Sequence, residues 1–290
     1  MDLRSWSLTA EGFSRHLLTT GKSPETVRTY ASALTLYWRW CEEREECPIE
    51  ADRNVLRAWL LQRSTVVSST RVHSNLAGLR LFYAYLIEEG VRDDDPTKGL
   101  KWKRTETLPT QPLDMPDVSA LLRACEQERD RLVVLLLVYS GVRITEFASM
   151  GAEDIDWDRG TITIKHGKGD VARHVAPSPE IMGRLHVFLG LLPEGPIWRS
   201  LRDKQPMKAH QLRKLIYRLT EKAGLSHIHP HRFRSTFACE FLDQFDGDIH
   251  ALKGAMGHKD ISSTARYAKS AELRRGLAKM ARFTLPSLSA

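Results

Sequence analysis

His229-Pro230-His231-Arg232-Phe233-Arg234 opens a stretch that closes on Gly257-His258 and then Arg266-Tyr267. Pro230 stands where a helix accepts its first residue. His231 and Arg234, three apart, therefore fall on one face of the opening turns. Phe237, Ala238, Phe241 and Leu242 continue a buried face, and Ile249–Met256 reads as a further short helix that stops at Gly257. After Ser262-Ser263, a last short helix carries Thr264 to Tyr267. The side chains gathered here are chemically able. A guanidinium is a planar fork that grips two phosphate oxygens. An imidazole donates to phosphate or moves a proton near neutral pH, and a phenol can serve as a covalent nucleophile.

Two patterns upstream belong with it. Ser140-Gly141-Val142-Arg143-Ile144-Thr145-Glu146 follows the apolar run Val133–Tyr139, which predicts a fully buried helix broken at Gly141. Arg143 then sits at a tight junction, with Glu146 placed to pair with it or orient it. Further on, Ile155-Asp156-Trp157 predicts a short strand. Thr161 to Lys165 and Val171 to Ala176 predict two more, joined by Gly167-Lys168-Gly169-Asp170, with Lys168 at the hairpin tip. A lysine in a turn is ordinarily a solvated charge, and H-x-x-R or G-K-G alone says little. The order is what informs: S-G-x-R-x-x-E, then G-K-G, then H-x-x-R, then G-H, then a tyrosine nine residues after that histidine. In this order the set resembles the tyrosine recombinases, the phage integrase and Xer-type family.

The resemblance implies a fold that is mainly α with a small antiparallel β-sheet. An N-terminal helical bundle, a SAM-like core-binding domain, precedes an α+β catalytic domain. It implies duplex DNA as substrate and strand exchange through a 3′-phosphotyrosine, with integration, excision or resolution as outcomes. Tyr267 is implied as nucleophile and His231 as its base. Arg143 and Arg234 bracket the non-bridging oxygens, Lys168 protonates the leaving 5′-oxygen, His258 donates to phosphate and helps place Tyr267, and Glu146 supports Arg143. No cofactor and no metal are expected, since two arginines and a lysine stand where a divalent ion acts in many nucleases. The implied partners are a duplex recombination site, a homo-tetramer on two such sites, and DNA-bending proteins as optional accessories. This chain departs from the family pattern at Ser235, where a second histidine is common, and at Met256, where leucine is usual. His229 is an additional histidine, read as structural.

Composition bounds the rest. At 290 residues and 42% hydrophobic content the chain can fill one large or two ordinary cores. No apolar run approaches the ~20 residues of a membrane span. The first residues carry no signal segment, so a cytoplasmic location is expected. Cys41, Cys47, Cys125 and Cys239 are scattered, suggesting neither zinc site nor disulfide framework. A net charge of +7 and a pI near 9.3 suit a polyanionic partner.

Along the chain, residues 1–96 predict four helices, the second starting at Ser23-Pro24-Glu25 and the fourth capped by Ser68-Ser69-Thr70 and ended by Gly90 and Asp93-Asp94-Asp95-Pro96. Between Arg53 and Ile87 there is no acidic residue, and Arg53, Arg57, Arg63, Arg71 and Arg80 are candidate phosphate contacts. Residues 97–113 read as an extended basic linker in which Lys101 and Lys103 are further candidates. Residues 114–270 form the catalytic domain, with Lys165, Arg173, Lys208 and Arg213 as candidate DNA contacts and Trp198 as core. Gly183 to Leu192 and Lys208 to Gly224 predict helices. Residues 271–290 form a basic, apolar-spaced tail that is expected to dock on a neighbouring subunit. The helical domain begins almost at Met1, which resembles the Xer-type or simplified phage enzymes. Three alternatives share parts of this reading: a DNA-binding protein without catalysis, a type IB topoisomerase-like enzyme, and a basic scaffold. The scaffold explains the charge and none of the ordered motifs.

Overall fold

The computed structural model describes residues 3–103, 111–165, 172–190 and 194–281, and the chain divides into two compact units between Thr107 and Leu108. The fold is mostly helical with one small antiparallel sheet.

The first unit is built from α1 (Leu3–Thr19), α2 (Pro24–Glu42), α3 (Arg53–Val66) and α4 (Ser69–Glu88). Their starts follow from side chains that satisfy orphan backbone donors. Ser23 accepts the Thr26 N–H, Asp52 accepts those of Asn54 and Val55, and Ser68 accepts that of Arg71. The inward faces meet in an aromatic core that includes Phe13, Tyr37, Trp59, Phe82 and Tyr83. Its phenols stay hydrogen-bonded: the Tyr37 and Tyr83 hydroxyls lie 3.0 Å apart, and Tyr83 donates to the Pro48 carbonyl at 2.6 Å. The predicted linker differs at its start. Leu100 is buried in this core, Arg80 donates to the Leu100 carbonyl at 2.6 Å, and Ser69 donates to the Lys103 carbonyl at 2.7 Å. Leu100 and Trp102 give residues 97–103 apolar surface to bury, so this segment packs instead of hanging free.

The second unit begins with α5 (Met115–Ala124), α6 (Glu128–Ser140) and the short α7 (Ile144–Ala148). A single 3-10 turn at Ala152–Asp154 leads to β1 (Ile155–Asp156), β2 (Thr161–Ile164) and β3 (Arg173–Val175), in the order β1-β2-β3. Ile162 pairs with Val175 and Ile164 with Arg173. Period-two alternation sends Ile162, Ile164, Arg173 and Val175 to the buried face. The tip of this hairpin, residues 166–171 with Lys168, lies outside the described residues. Next come α8 (Pro179–Leu189), α9 (Ala209–Lys222), α10 (His231–Gln244), α11 (Ile249–Met256) and α12 (Ser262–Ala281).

Three expectations change here. Helix α6 is not buried all round: Tyr139, at the end of the apolar run, is half exposed. Helix α8 starts at Pro179, before the expected Gly183, because Ser178 caps it by accepting the Ile181 N–H. The last helix does not stop near Tyr267. α12 continues to Ala281, with Ala271 fully buried and Arg274 bonded to Glu240 at 3.0 Å and to Asp243, both on α10. The first part of the expected tail therefore packs on its own subunit. The rest, including Phe283 and Leu285, lies outside the described residues.

Candidate active site

Two left-handed glycines shape the site. Gly141 ends α6 at φ 61°, and a Cβ there would lie 2.2 Å from the Phe237 ring of α10. No larger residue fits without a shift. The turn thus presses on α10, and its carbonyl accepts a hydrogen bond from Arg234 Nη1. Gly257 ends α11 at φ 62° and lets His258 turn back into the same place. Arg234, 2% exposed, also donates through Nη2 to the Met256 carbonyl and to His258 Nε2, each at 2.8 Å.

An arginine only donates, so His258 Nε2 accepts, and the proton of this neutral ring sits on Nδ1, which faces Thr264 Oγ1 at 2.8 Å. The His258 ring lies parallel to that of Tyr267, with centroids 6.2 Å apart. The Tyr267 hydroxyl is 3.4 Å from His231 Nε2, the outer edge of hydrogen-bond distance, and the tyrosine is buried. The sequence reading gives Thr264 no role beyond its place in this helix. Its signal was there: it stands three residues before Tyr267, on the same face of one helix.

Arg143 occupies the N-cap position of α7. Its backbone N–H donates to Glu146 Oε2 at 2.9 Å and its guanidinium to Oε1 at 2.7 Å. Glu146 also receives Arg173 Nη2 at 2.7 Å. Arg173 thus corrects the sequence reading. It is buried on the inward face of β3 and is no surface phosphate contact. The alternation Arg173-His174-Val175 carried that signal, because Val175 marks the core face.

The electrostatics suit an incoming anion. Burial would raise the Glu146 pKa, but the hydrogen bonds from Arg173 and Arg143 outweigh it and hold the carboxyl below its ordinary range. Burial, then the Arg143 charge, push Arg234 down to about 10, so it is still protonated at neutral pH. Burial lowers the His231 pKa, and the Arg234 charge lowers it further, leaving a neutral imidazole able to accept a proton. Burial raises Tyr267 against the opposing pull of Arg234. The phenol therefore needs a base. Arg143 and Arg173 share the Glu146 carboxylate, while Arg234 is met by carbonyls and an imidazole. A phosphate would supply the missing negative charge.

The remaining candidates are dispersed. Arg53, Arg57 and Arg71 are exposed and Arg63 is half-buried. Arg80 is tied to Leu100, while Lys101 and Lys103 are exposed. Lys165 pairs with Asp154 at 2.5 Å and Glu153 at 3.6 Å. Lys208 is exposed at the start of α9, and the Arg213 charge reaches His229, whose pKa burial and that charge both lower. Among the described residues no three His, Cys, Asp or Glu side chains gather as metal ligands would, and no helix is long and apolar enough to cross a membrane.

Comparison with known proteins gives a consistent result. The model of the phage integrase family matches residues 111–274, and that of the phage integrase N-terminal SAM-like domain matches residues 10–90. Tyrosine recombinase XerC of Chromobacterium violaceum is 29% identical over 264 residues, covering 88% of this chain and 87% of that protein. Tyrosine recombinase XerA of Thermococcus kodakarensis is 28% identical over 266 residues, 89% of each. Among solved structures, a lambda integrase dimer bound to a COC′ core site superposes with a TM-score of 0.74 at 18% identity, covering 92% of this chain and 95% of that one. A lambda integrase tetramer bound to a Holliday junction gives 0.73 at 18%, covering 92% and 77%. At such identities these two likenesses concern the fold.

Proposed function

The chain belongs to the phage integrase family of tyrosine recombinases, enzymes of site-specific DNA recombination, and on that premise we propose that it cuts and rejoins duplex DNA through a 3′-phosphotyrosyl intermediate on Tyr267. The observation that carries this reading is the placement of the Tyr267 hydroxyl 3.4 Å from the His231 imidazole, in a pocket rich in guanidinium groups.

The Tyr267 oxygen attacks the scissile phosphorus while its proton passes to His231 Nε2. The bond from phosphorus to the 5′-oxygen breaks, and Lys168 gives that oxygen a proton. A 3′-phosphotyrosyl bond and a free 5′-hydroxyl result. Arg143 and Arg234 lie against the non-bridging oxygens, where negative charge grows in the pentacoordinate transition state. For His258 to donate to phosphate as well, its Nε2 must first leave Arg234 and take up a proton. A 5′-hydroxyl from a second strand then reverses the sequence. One phosphoester is exchanged for another, so no nucleotide is consumed.

Integration, excision or resolution would follow from how two sites are brought together. We take the working form to be a tetramer on two sites. Leu273, Leu277 and Met280 make an exposed apolar stripe on α12 that supports docking of the C-terminal segment on a neighbouring subunit. The exposed Arg53, Arg57, Arg71, Lys101 and Lys103 supply phosphate contacts in the first unit, and Lys208 and Arg213 in the second.

Covalent capture tests the reading. Nicked duplexes tiled from DNA flanking the gene are mixed with protein and chelator and run on a denaturing gel. A shifted band, lost in Tyr267→Phe, is the expected result. Specific binding with no band on any duplex would move the chain to a non-catalytic DNA binder. Failure to bind any duplex would point to a scaffold.

A further inference from the structure

Arg173 has no part in the reaction as written, yet its guanidinium joins the two turns that build the site. Nη2 donates to Glu146 Oε2 at 2.7 Å, and Nε donates to the Ala255 carbonyl at 3.0 Å. Glu146 in turn holds Arg143 through both backbone and side chain. Ala255 stands two residues before Gly257, in the turn that presents His258. The fit is close: a Cβ on Gly257 would lie 2.9 Å from Arg173 Nη1 and 3.0 Å from its Cδ.

Only a guanidinium does both jobs here. It is a rigid planar fork, so one donor fixes the direction of the other. Lysine has a single nitrogen on a flexible stem. A neutral side chain would leave the Glu146 carboxylate buried against Arg143 alone. Arg173 is buried, and its Nη2 and Nε are already engaged by Glu146 and the Ala255 carbonyl.

We propose that Arg173 is a positioning residue that clamps the Arg143-bearing turn to the His258-bearing turn, fixing the spacing of the groups that receive the scissile phosphate. It acts through Glu146 and the Ala255 carbonyl and touches neither DNA nor the reacting atoms. The proposal rests on the reading of this site as a DNA-cleaving centre.

The test uses the full chain and the duplex on which wild-type protein forms its adduct. DNA Kd and the single-turnover cleavage rate are measured for wild type, Arg173→Lys, Arg173→Gln, Glu146→Gln and the Arg173→Gln/Glu146→Gln double variant. The Kd should hold. The cleavage rate should fall about 10- to 100-fold in Arg173→Gln, the range for residues that orient a reactive group, and less in Arg173→Lys. The double variant should fall little below Glu146→Gln, because both changes remove one link. A methylphosphonate at the cleaved position has lost one non-bridging charge, so it should restore much of the rate to Arg173→Gln. A merely structural role would not respond to that substrate.

Wild-type cleavage by Arg173→Gln overturns the proposal. So does a loss confined to Kd, which would make Arg173 a DNA-binding residue. Additive losses with no methylphosphonate recovery would reduce it to fold support and likewise overturn it. If Arg173→Gln does not fold, Gly257→Ala presses on the same contact, and a wild-type rate there overturns the proposal. Absence of any adduct from wild-type protein is a different failure, that of the parent reading.

Discussion

Arginines in the two units of this chain live in opposite surroundings. In α3 and α4 of the first unit, Arg53, Arg57 and Arg71 stand in water. In the second unit, Arg173 and Arg234 are buried and donate to a carboxylate, to backbone carbonyls and to an imidazole, all fixed by the fold. The difference teaches what a guanidinium is for. In water it is a mobile charge whose contribution to binding is screened by salt and shared with its neighbours. Inside, it is a geometric part, and removing a partner leaves a charge or a carbonyl stranded in low dielectric.

The sharpest way to break this contrast is at Glu146. Glu146→Ala strands buried Arg173, and breaking a buried pair from one side costs about 3–5 kcal/mol. A denaturant melt should show a loss of that size, and a change below about 0.5 kcal/mol, as at a surface site, would abolish the distinction. Arg234→Lys comes next. It keeps the charge and loses the fork, so single-turnover cleavage should drop about 10²- to 10³-fold, as for a lost transition-state donor, with DNA binding retained. Near-normal cleavage would show that charge alone suffices inside as it does outside.

A smaller effect comes from pH. Neutral His231 is the form that accepts a proton, and burial with the Arg234 charge holds its pKa below the ordinary 6.5. Cleavage should therefore be level through neutrality and fall on the acid side, about tenfold per unit once below that pKa. An acid limb centred above 6.5 would remove His231 from the role of base. The smallest effect belongs to the exposed set. Arg57→Ala or Arg71→Ala should weaken DNA binding a few-fold on any sequence and lower the slope of log K against log salt by about 1. A loss confined to one DNA sequence would mean that these arginines read bases.

How far the residues alone reached can be judged from pairs of like signals. Ser23-Pro24-Glu25 predicts a helix start and α2 begins there; Ser178-Pro179-Glu180 carries the same signal and starts α8, ahead of the expected Gly183. Thr264 and the inward face of Arg173 were legible too, from a helical spacing of three and a strand period of two. Leu100 is another matter. Nothing local says that a basic, proline-flanked segment will turn back onto helices laid down earlier, because its burial depends on a surface that only the folded unit presents. The unbroken α12 is similar, since Arg274 finds Glu240 and Asp243 more than thirty residues away in sequence.

The sequence by itself determined the helical and strand periods, the caps that start the helices, the glycines that turn them, and the order of reactive residue types from Arg143 to Tyr267. These are local matters of backbone stereochemistry and side-chain spacing. Tertiary structure alone decided which guanidiniums are buried, which carboxylate two of them share, and which nitrogen of His258 carries its proton. Those depend on desolvation and on hydrogen bonds between segments far apart in the chain, and both come into being only when the segments pack.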